Sequence, residues 1–162
     1  MLAARLNTAL ATLARLATVV ACAALVGLVA VEAWQVFARY VLNDSPGWTE
    51  PWALLLMNGA MMFGAAAAVR TSSHFGFFIL VESAGPGPQR WLRAITQVII
   101  LGIGLLLALW GGELLIDGWN IPMAGAPLPQ SAPFLPMAIG GALIGLFGLE
   151  QLIAPPARHT ES

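Results

Sequence analysis

The chain has 162 residues, of which 59% are hydrophobic and only 9% are charged, and its mean hydropathy is +0.81. Soluble domains carry about 25% charged residues, so this composition excludes a water-soluble globular protein and predicts a protein embedded in lipid. The net charge of −1 gives no reason to expect a nucleic-acid partner, and the single cysteine, Cys22, excludes an internal disulfide.

Four long apolar stretches follow one another along the chain, at residues 13–37, 51–69, 94–116 and 133–154. A membrane-spanning helix needs about 20 mainly apolar residues. The sequence therefore predicts an all-α fold, in which four transmembrane helices form a single membrane domain over residues 1–162. The first stretch is longer than the apolar part of a signal peptide, which has about 7–15 residues, so we expect it to remain in the protein as a helix.

The arginines predict which way the helices run. Arg39 lies between the first and second spans. The other six lie at or before the start of the first span, between the second and third, or after the fourth: Arg5, Arg15, Arg70, Arg90, Arg93 and Arg158. Because basic residues concentrate in cytoplasmic segments, we predict that both termini are cytoplasmic, together with the connection between the second and third spans. The apolar segment at residues 74–83 in that connection is predicted either as an interfacial segment or as an extension of the second helix.

Three polar residues near the end of the first span form a stripe. Glu32, Gln35 and Arg39 are spaced by three and then four residues, which places them on one face of a helix. An acid in a membrane helix is expected to face protein or water rather than lipid. Glu32 is therefore either a proton or ion site or, as we favour, part of a structural network. In that network Arg39 pairs with Glu32 through Gln35, or with Glu50 across the following turn, where Thr49 is predicted to cap the second helix.

Small residues recur every four positions on three of the predicted helices. Ridges of this kind let helix backbones approach closely in lipid. They predict close helix packing, either within this chain or with another chain. The ridge residues are Ala60, Gly64 and Ala68 on the second helix, Gly104, Ala108 and Gly112 on the third, and Gly141 and Gly145 on the fourth.

The residue types that usually carry catalysis are sparse. The two histidines, His74 and His159, lie outside the predicted spans, and the sequence holds no nucleophile–base pairing and no cluster with metal-ligand spacing. We therefore predict that the protein is not an enzyme and binds no cofactor of its own. Tryptophans near the ends of the spans, Trp34 and Trp48 among them, predict an aromatic belt at the membrane surface.

Several motifs, taken together in their order and spacing, resemble the small membrane subunit, of the DctQ type, of tripartite ATP-independent periplasmic (TRAP) transporters. The similarity covers roughly residues 31–149. The sequence departs from the family pattern at Pro51, where the family often has a second acid, and after His74. The motifs are Phe37-Ala38-Arg39-Tyr40-Val41, Trp48-Thr49-Glu50, Gly64-Ala65 through Val69-Arg70 with His74 following, and Pro129, Pro133 and Pro136 before a glycine-rich helix.

This resemblance implies a non-catalytic subunit in a bacterial inner membrane. In such transporters a large membrane subunit carries the substrate and sodium sites, and a soluble periplasmic binding protein delivers the substrate. The small subunit is then expected to extend the static scaffold of the large subunit during sodium-coupled uptake of an organic acid, and to offer a docking surface to the binding protein. The candidates for structural or inter-subunit contacts are Glu32, Gln35, Arg39, Trp48, Glu50, Arg70 and His74.

Two alternatives remain open at the level of sequence. One is a small, self-sufficient proton-coupled exporter, which would also have four spans and would use Glu32. The other is a structural adaptor of a different membrane complex. Transport by this chain alone would favour the first, and the identity of its partner would separate the second from a TRAP subunit.

Overall fold

The computed structural model describes residues 2–71 and 86–153, and its main elements are four long α-helices and one short 3-10 helix. Each α-helix contains a segment long and apolar enough to cross a membrane, which confirms the predicted all-α membrane fold. The segment at residues 74–83, including His74, lies outside the described residues. The elements are α1 (Leu2–Tyr40), α2 (Thr49–Thr71), α3 (Pro86–Asp117), the 3-10 helix (Ala132–Phe134) and α4 (Leu135–Ile153).

Two helices begin well before the apolar stretches that predicted them. α1 starts at Leu2 and α3 at Pro86. Hydropathy locates only the part of a helix that crosses lipid, whereas the preceding residues of α1 are mostly good helix formers. Proline suits the first position of α3, because the backbone N–H it lacks would have no partner there. The apolar part of α1 has 35 residues and is about 52 Å long, longer than a hydrocarbon core of about 30 Å.

The helices are arranged in a row rather than in a closed ring. Among the described helices, the extensive contacts join α1 to α2, α2 to α4 and α4 to α3. Only 11% of the most apolar segment of α1 and of α3 is buried, compared with 44% in α4. α1 and α3 are therefore the two outermost helices of the row. Along the helix axes, we call the end at which α1 and α3 begin the terminal end, and the opposite end, with residues 41–48 and 118–131, the loop end.

Glycines form the closest seam of the row, between α3 and α4. A Cβ atom added at Gly141 would lie 2.6 Å from the backbone nitrogen of Ala108, and one added at Gly111 would lie 2.8 Å from that of Ala138. A Cβ at Gly104 would overlap the backbone of Gly145. The packing predicted for these ridges thus occurs within this chain.

Gly112, which was predicted to belong to the same ridge, does not take part in the seam. A Cβ added there would meet nothing within 4 Å, and Gly111 takes its place. Eight residues rotate a helix by about 800°, which leaves Gly112 about 80° away from the direction of Gly104, whereas seven residues leave Gly111 about 20° away. The four-residue spacing therefore drifts off the contact face after two turns.

The two other contacts of the row also rely on small residues. Between α1 and α2, a Cβ at Gly59 would lie 3.5 Å from that of Ala24. Between α2 and α4, Gly140 lies against Met62, and the fully buried Phe147 packs with Ala66 in the apolar core. Close approach of this kind gains dispersion contacts that a lipid tail would not provide.

Candidate functional site

The most extensive polar contact lies at the terminal end, where Arg70 joins three helices. Its Nε donates a hydrogen bond to Glu150 Oε2 at 3.0 Å, and its Nη2 donates to Glu150 Oε1 at 3.1 Å, so that α2 and α4 share a bidentate ion pair. Nη2 also donates to Asn7 Oδ1 at 2.8 Å and to the Asn7 carbonyl at 3.2 Å, which brings in α1. The flat guanidinium fork suits this bidentate geometry, which a lysine would not reproduce.

The surroundings of Arg70 strengthen this contact. The side chains of Arg70 and Glu150 are 18% and 20% exposed, so water screens the pair only in part. The Arg70 Cζ atom lies 6.0 Å from the ring centroid of Phe147, within range of a cation–π contact. Arg70 is also in the last described turn of α2, where a positive charge interacts favourably with the helix dipole.

Two glutamines extend this network to α3. Gln151 Nε2 donates to the backbone carbonyls of Val69 and Arg70, and Gln97 Nε2 donates to Gln151 Oε1 at 2.7 Å. Gln97 Oε1 is buried and has no hydrogen-bond partner in the described part of the chain, so a single bond from Gln97 joins α3 to the network. We call the residues Asn7, Arg70, Gln97, Glu150 and Gln151 the clasp; it connects all four helices at one level.

Replacement of Gln151 by leucine tests the amide part of the clasp. We expect Gln151→Leu to lower the free energy of unfolding by about 1–3 kcal/mol, because the buried Val69 carbonyl and the Gln97 amide would lose their partner. Thermal unfolding of the purified protein in mild detergent would measure the change. Gln130→Leu, on an exposed loop residue, is the matched control, and equal losses in the two variants would contradict the structural role of Gln151.

At the loop end, Arg39 lies beside the turn that follows α1. Its Nη2 donates to Ser45 Oγ at 3.4 Å, and the Asp44 amide donates to the Ala38 carbonyl at 3.0 Å, which folds the turn back against the helix. The predicted ion pairs of Arg39 with Glu32 or Glu50 are absent from residues 2–71. Seven residues separate Glu32 and Arg39 by about 10.5 Å along the helix, and the turn brings Ser45 closer than either acid.

The start of α2 is organised by a buried threonine. Thr49 is fully buried, and its hydroxyl donates to the Pro46 carbonyl at 2.8 Å, so it stabilises the preceding turn instead of accepting a bond from a helix amide as a cap would. Trp48 and Glu50 on either side are exposed. Glu50 lies in the first turn, where a negative charge is favoured by the helix dipole.

The two connections at the loop end touch each other. The connection between α3 and α4 forms a hairpin, in which the Met123 amide donates to the Leu128 carbonyl at 2.9 Å. Gly125, at the tip, has a φ of +85° and lies directly against the Gly47 carbonyl of the first turn. A cleft of about 350 Å³ opens beside this contact, with Glu50 and Gln130 among its lining residues.

Replacement of Gly125 by alanine tests whether the two connections are held together. A positive φ and the contact with Gly47 both exclude a Cβ atom, so we expect Gly125→Ala to destabilise the hairpin by about 1–2 kcal/mol. Ala124→Ser, at the exposed neighbouring position, should have no effect. A cysteine placed at the buried Ser131 would report the opening as faster labelling by a water-soluble reagent, and unchanged labelling in Gly125→Ala would refute the contact.

The polar stripe of α1 is divided between two environments. Gln35 is half-buried toward α2, whereas Glu32 and Arg39 are exposed. The residues predicted from sequence are thus divided between the terminal end and the loop end. Arg70 belongs to the clasp, and Arg39, Trp48 and Glu50 lie at the loop end. His74 lies outside the described residues.

Sequence reasoning missed three members of the clasp, namely Asn7, Gln97 and Gln151. Their signal was available, because an amide in an otherwise apolar helix tends to form a hydrogen bond with a neighbouring helix. Glu150 has no evident partner within its own helix in the sequence, and its partner in the structure is Arg70 on another helix. Within residues 2–71 and 86–153, no three potential metal ligands come together.

The match to a known family covers most of the chain. Residues 28–155 match the model of the DctQ component of tripartite ATP-independent periplasmic transporters. The sialic acid TRAP transporter small permease protein SiaQ of Vibrio cholerae serotype O1 is 29% identical over 93 residues, a stretch that makes up 57% of this chain and 50% of that protein. The chain thus aligns with about half the length of this relative. These matches confirm the resemblance seen in the sequence motifs: the chain, whose four long helices are each apolar enough to cross a membrane, belongs to the family of the DctQ component of tripartite ATP-independent periplasmic transporters.

Proposed function

We propose that this chain is a non-catalytic subunit that supports the large membrane subunit of a TRAP transporter as part of its static scaffold. In this proposal the complex takes up an organic acid with sodium and depends on a periplasmic binding protein. The observation that supports it best is the clasp, which ties all four helices together at one level.

A fixed arrangement of helices suits a scaffold. Sliding α2 past α4 would break both bonds between Arg70 and Glu150, and sliding α3 past α4 would bring side chains into the glycine seam. Interfaces packed this closely resist continuous deformation. The chain is therefore suited to move as one body, or to stay still while another subunit moves.

The arginine distribution orients the proposed subunit. The terminal end would face the cytoplasm and the loop end the periplasm of a bacterial inner membrane, so the binding protein would approach the loop end. We place the sodium and substrate sites in the large subunit and propose no cofactor in this chain.

Co-purification and reconstitution test this function. We expect the tagged chain, extracted in mild detergent from its native membrane, to retain a stoichiometric partner with around a dozen apolar spans. Proteoliposomes should take up the substrate only when they contain both subunits and the binding protein. Proton-coupled transport by this chain alone, lost in Glu32→Gln, would replace the proposal with an exporter, and a stoichiometric partner of another class would indicate an adaptor.

A further inference from the structure

The surface of α1 that faces away from α2 carries a hollow near the loop end. The hollow is a shallow depression, open to the surroundings, with a volume of about 790 Å³, and it is lined by α1 side chains between residues 28 and 41, nearly all of them apolar. Val29, Val36 and Tyr40 are exposed there and recur at intervals of seven and four residues. This spacing is that of a helix face on which another helix packs.

A single acid, Glu32, lies within this apolar surface. Glu32 is exposed and forms no hydrogen bond or ion pair with the described residues. Gly27 packs on Leu56 of the antiparallel α2, so Glu32 lies about level with Pro51, in the first turn of the membrane-crossing segment of α2. An acid at that depth, surrounded by Val29 and Val36, is costly unless a partner or water reaches it.

No cation lies within reach of Glu32 among the side chains that the structure describes. Arg39 is about two turns further along α1 and donates to Ser45. The row leaves this side of α1 without an extensive neighbour among the described helices, because α1 packs on α2 alone. A partner that complements this surface would therefore combine an apolar face with a positive charge.

We propose that the hollow around Glu32 is the docking surface for a membrane-spanning helix of a partner protein that carries an arginine or lysine at the level of Glu32. Charge complementarity selects the partner, and the exposed Val29, Val36 and Tyr40 provide the apolar contact. The inference rests on the proposed function, under which this helix belongs to the large subunit.

Charge reversal in the assembled complex tests the docking surface. We expect Glu32→Arg to lower the recovery of the co-expressed large subunit by about tenfold or more, because like charges across an interface suppress association, and Glu32→Gln to lower it less. Glu113→Arg is the matched control. Glu113 is also an exposed acid near the loop end, but it lies on α3, the outermost helix on the opposite side of the row from α1. Recovery of the small subunit itself would show that each variant folds.

Cross-linking gives an independent readout without changing Glu32. A photoreactive residue at Val36 is expected to capture a peptide from a membrane-spanning helix that contains arginine or lysine, whereas one at the exposed Leu106 of α3 should not. Unchanged recovery in Glu32→Arg, loss in Glu113→Arg alone, or capture at Val36 of only lipid or a second copy of this chain would overturn the docking surface. If the unaltered chain recovers no large subunit, the proposed function itself fails.

Discussion

Gly104→Ala is expected to lower the free energy of unfolding by about 3 kcal/mol, the upper range for overpacking a tight interface. The added Cβ would overlap the backbone of Gly145 and approach the Gly141 carbonyl, neither of which can rotate away as a side chain would. Alanine is a better helix former than glycine by about 1 kcal/mol, so any loss must come from the seam itself. Steric trapping or thermal unfolding in detergent would measure it.

The same helix supplies the control for this substitution. Gly102 and Gly112 have nothing within 4 Å of an added Cβ, so Gly102→Ala and Gly112→Ala should leave stability unchanged or raise it by up to about 1 kcal/mol. The contrast among three identical substitutions on α3 isolates the contact with α4. If all three variants unfold at the same temperature, the seam between α3 and α4 is not where the structure places it.

Arg70→Met is expected to cost about 2 kcal/mol, because Glu150 and Asn7 would lose the guanidinium that joins α2, α4 and α1. Loss of one partner from a fully buried pair costs about 3–5 kcal/mol. The smaller value allows for water reaching side chains that are 18% and 20% exposed. Arg70→Lys should lose part of this energy, because an ammonium cannot reproduce the two parallel bonds to Glu150.

A double-mutant cycle separates the pair from its surroundings. Arg70→Met combined with Glu150→Met should destabilise the protein by less than the sum of the two single substitutions, since no unpaired charge remains. Arg15→Met, at an exposed arginine of α1, is the control for loss of one positive charge. Additive losses at Arg70 and Glu150 would show that the two side chains do not interact.

Hydropathy and spacing predict much of this architecture because they are local properties. The number of spans follows from the length of each apolar stretch, and the family follows from motifs whose order is visible in the chain. The full lengths of α1 and α3 do not follow from hydropathy, because hydropathy reports contact with lipid, whereas both helices begin before their apolar stretches, at Leu2 and Pro86.

Local sequence patterns do not identify ion-pair partners that lie far apart in the chain. Arg70 and Glu150 are separated by 80 residues, and nothing in either local sequence indicates that α2 packs beside α4. Arg39 shows a different kind of error. The sequence suggested that Arg39 pairs with Glu32 or Glu50, whereas the turn places Ser45 within hydrogen-bond distance instead. Opposite charge alone does not decide which side chains form a pair, because the path of the backbone sets the distance between them.

The sequence by itself determined that this protein is a membrane protein of four helices, resembling the DctQ type, because composition and motif order are properties of the linear chain. Only the tertiary structure decided that the helices form the row α1–α2–α4–α3, that Gly111 rather than Gly112 lies in the seam, and that the clasp joins all four helices. The physical reason is that burial and hydrogen bonding between helices depend on their rotation and register, which no single helix specifies.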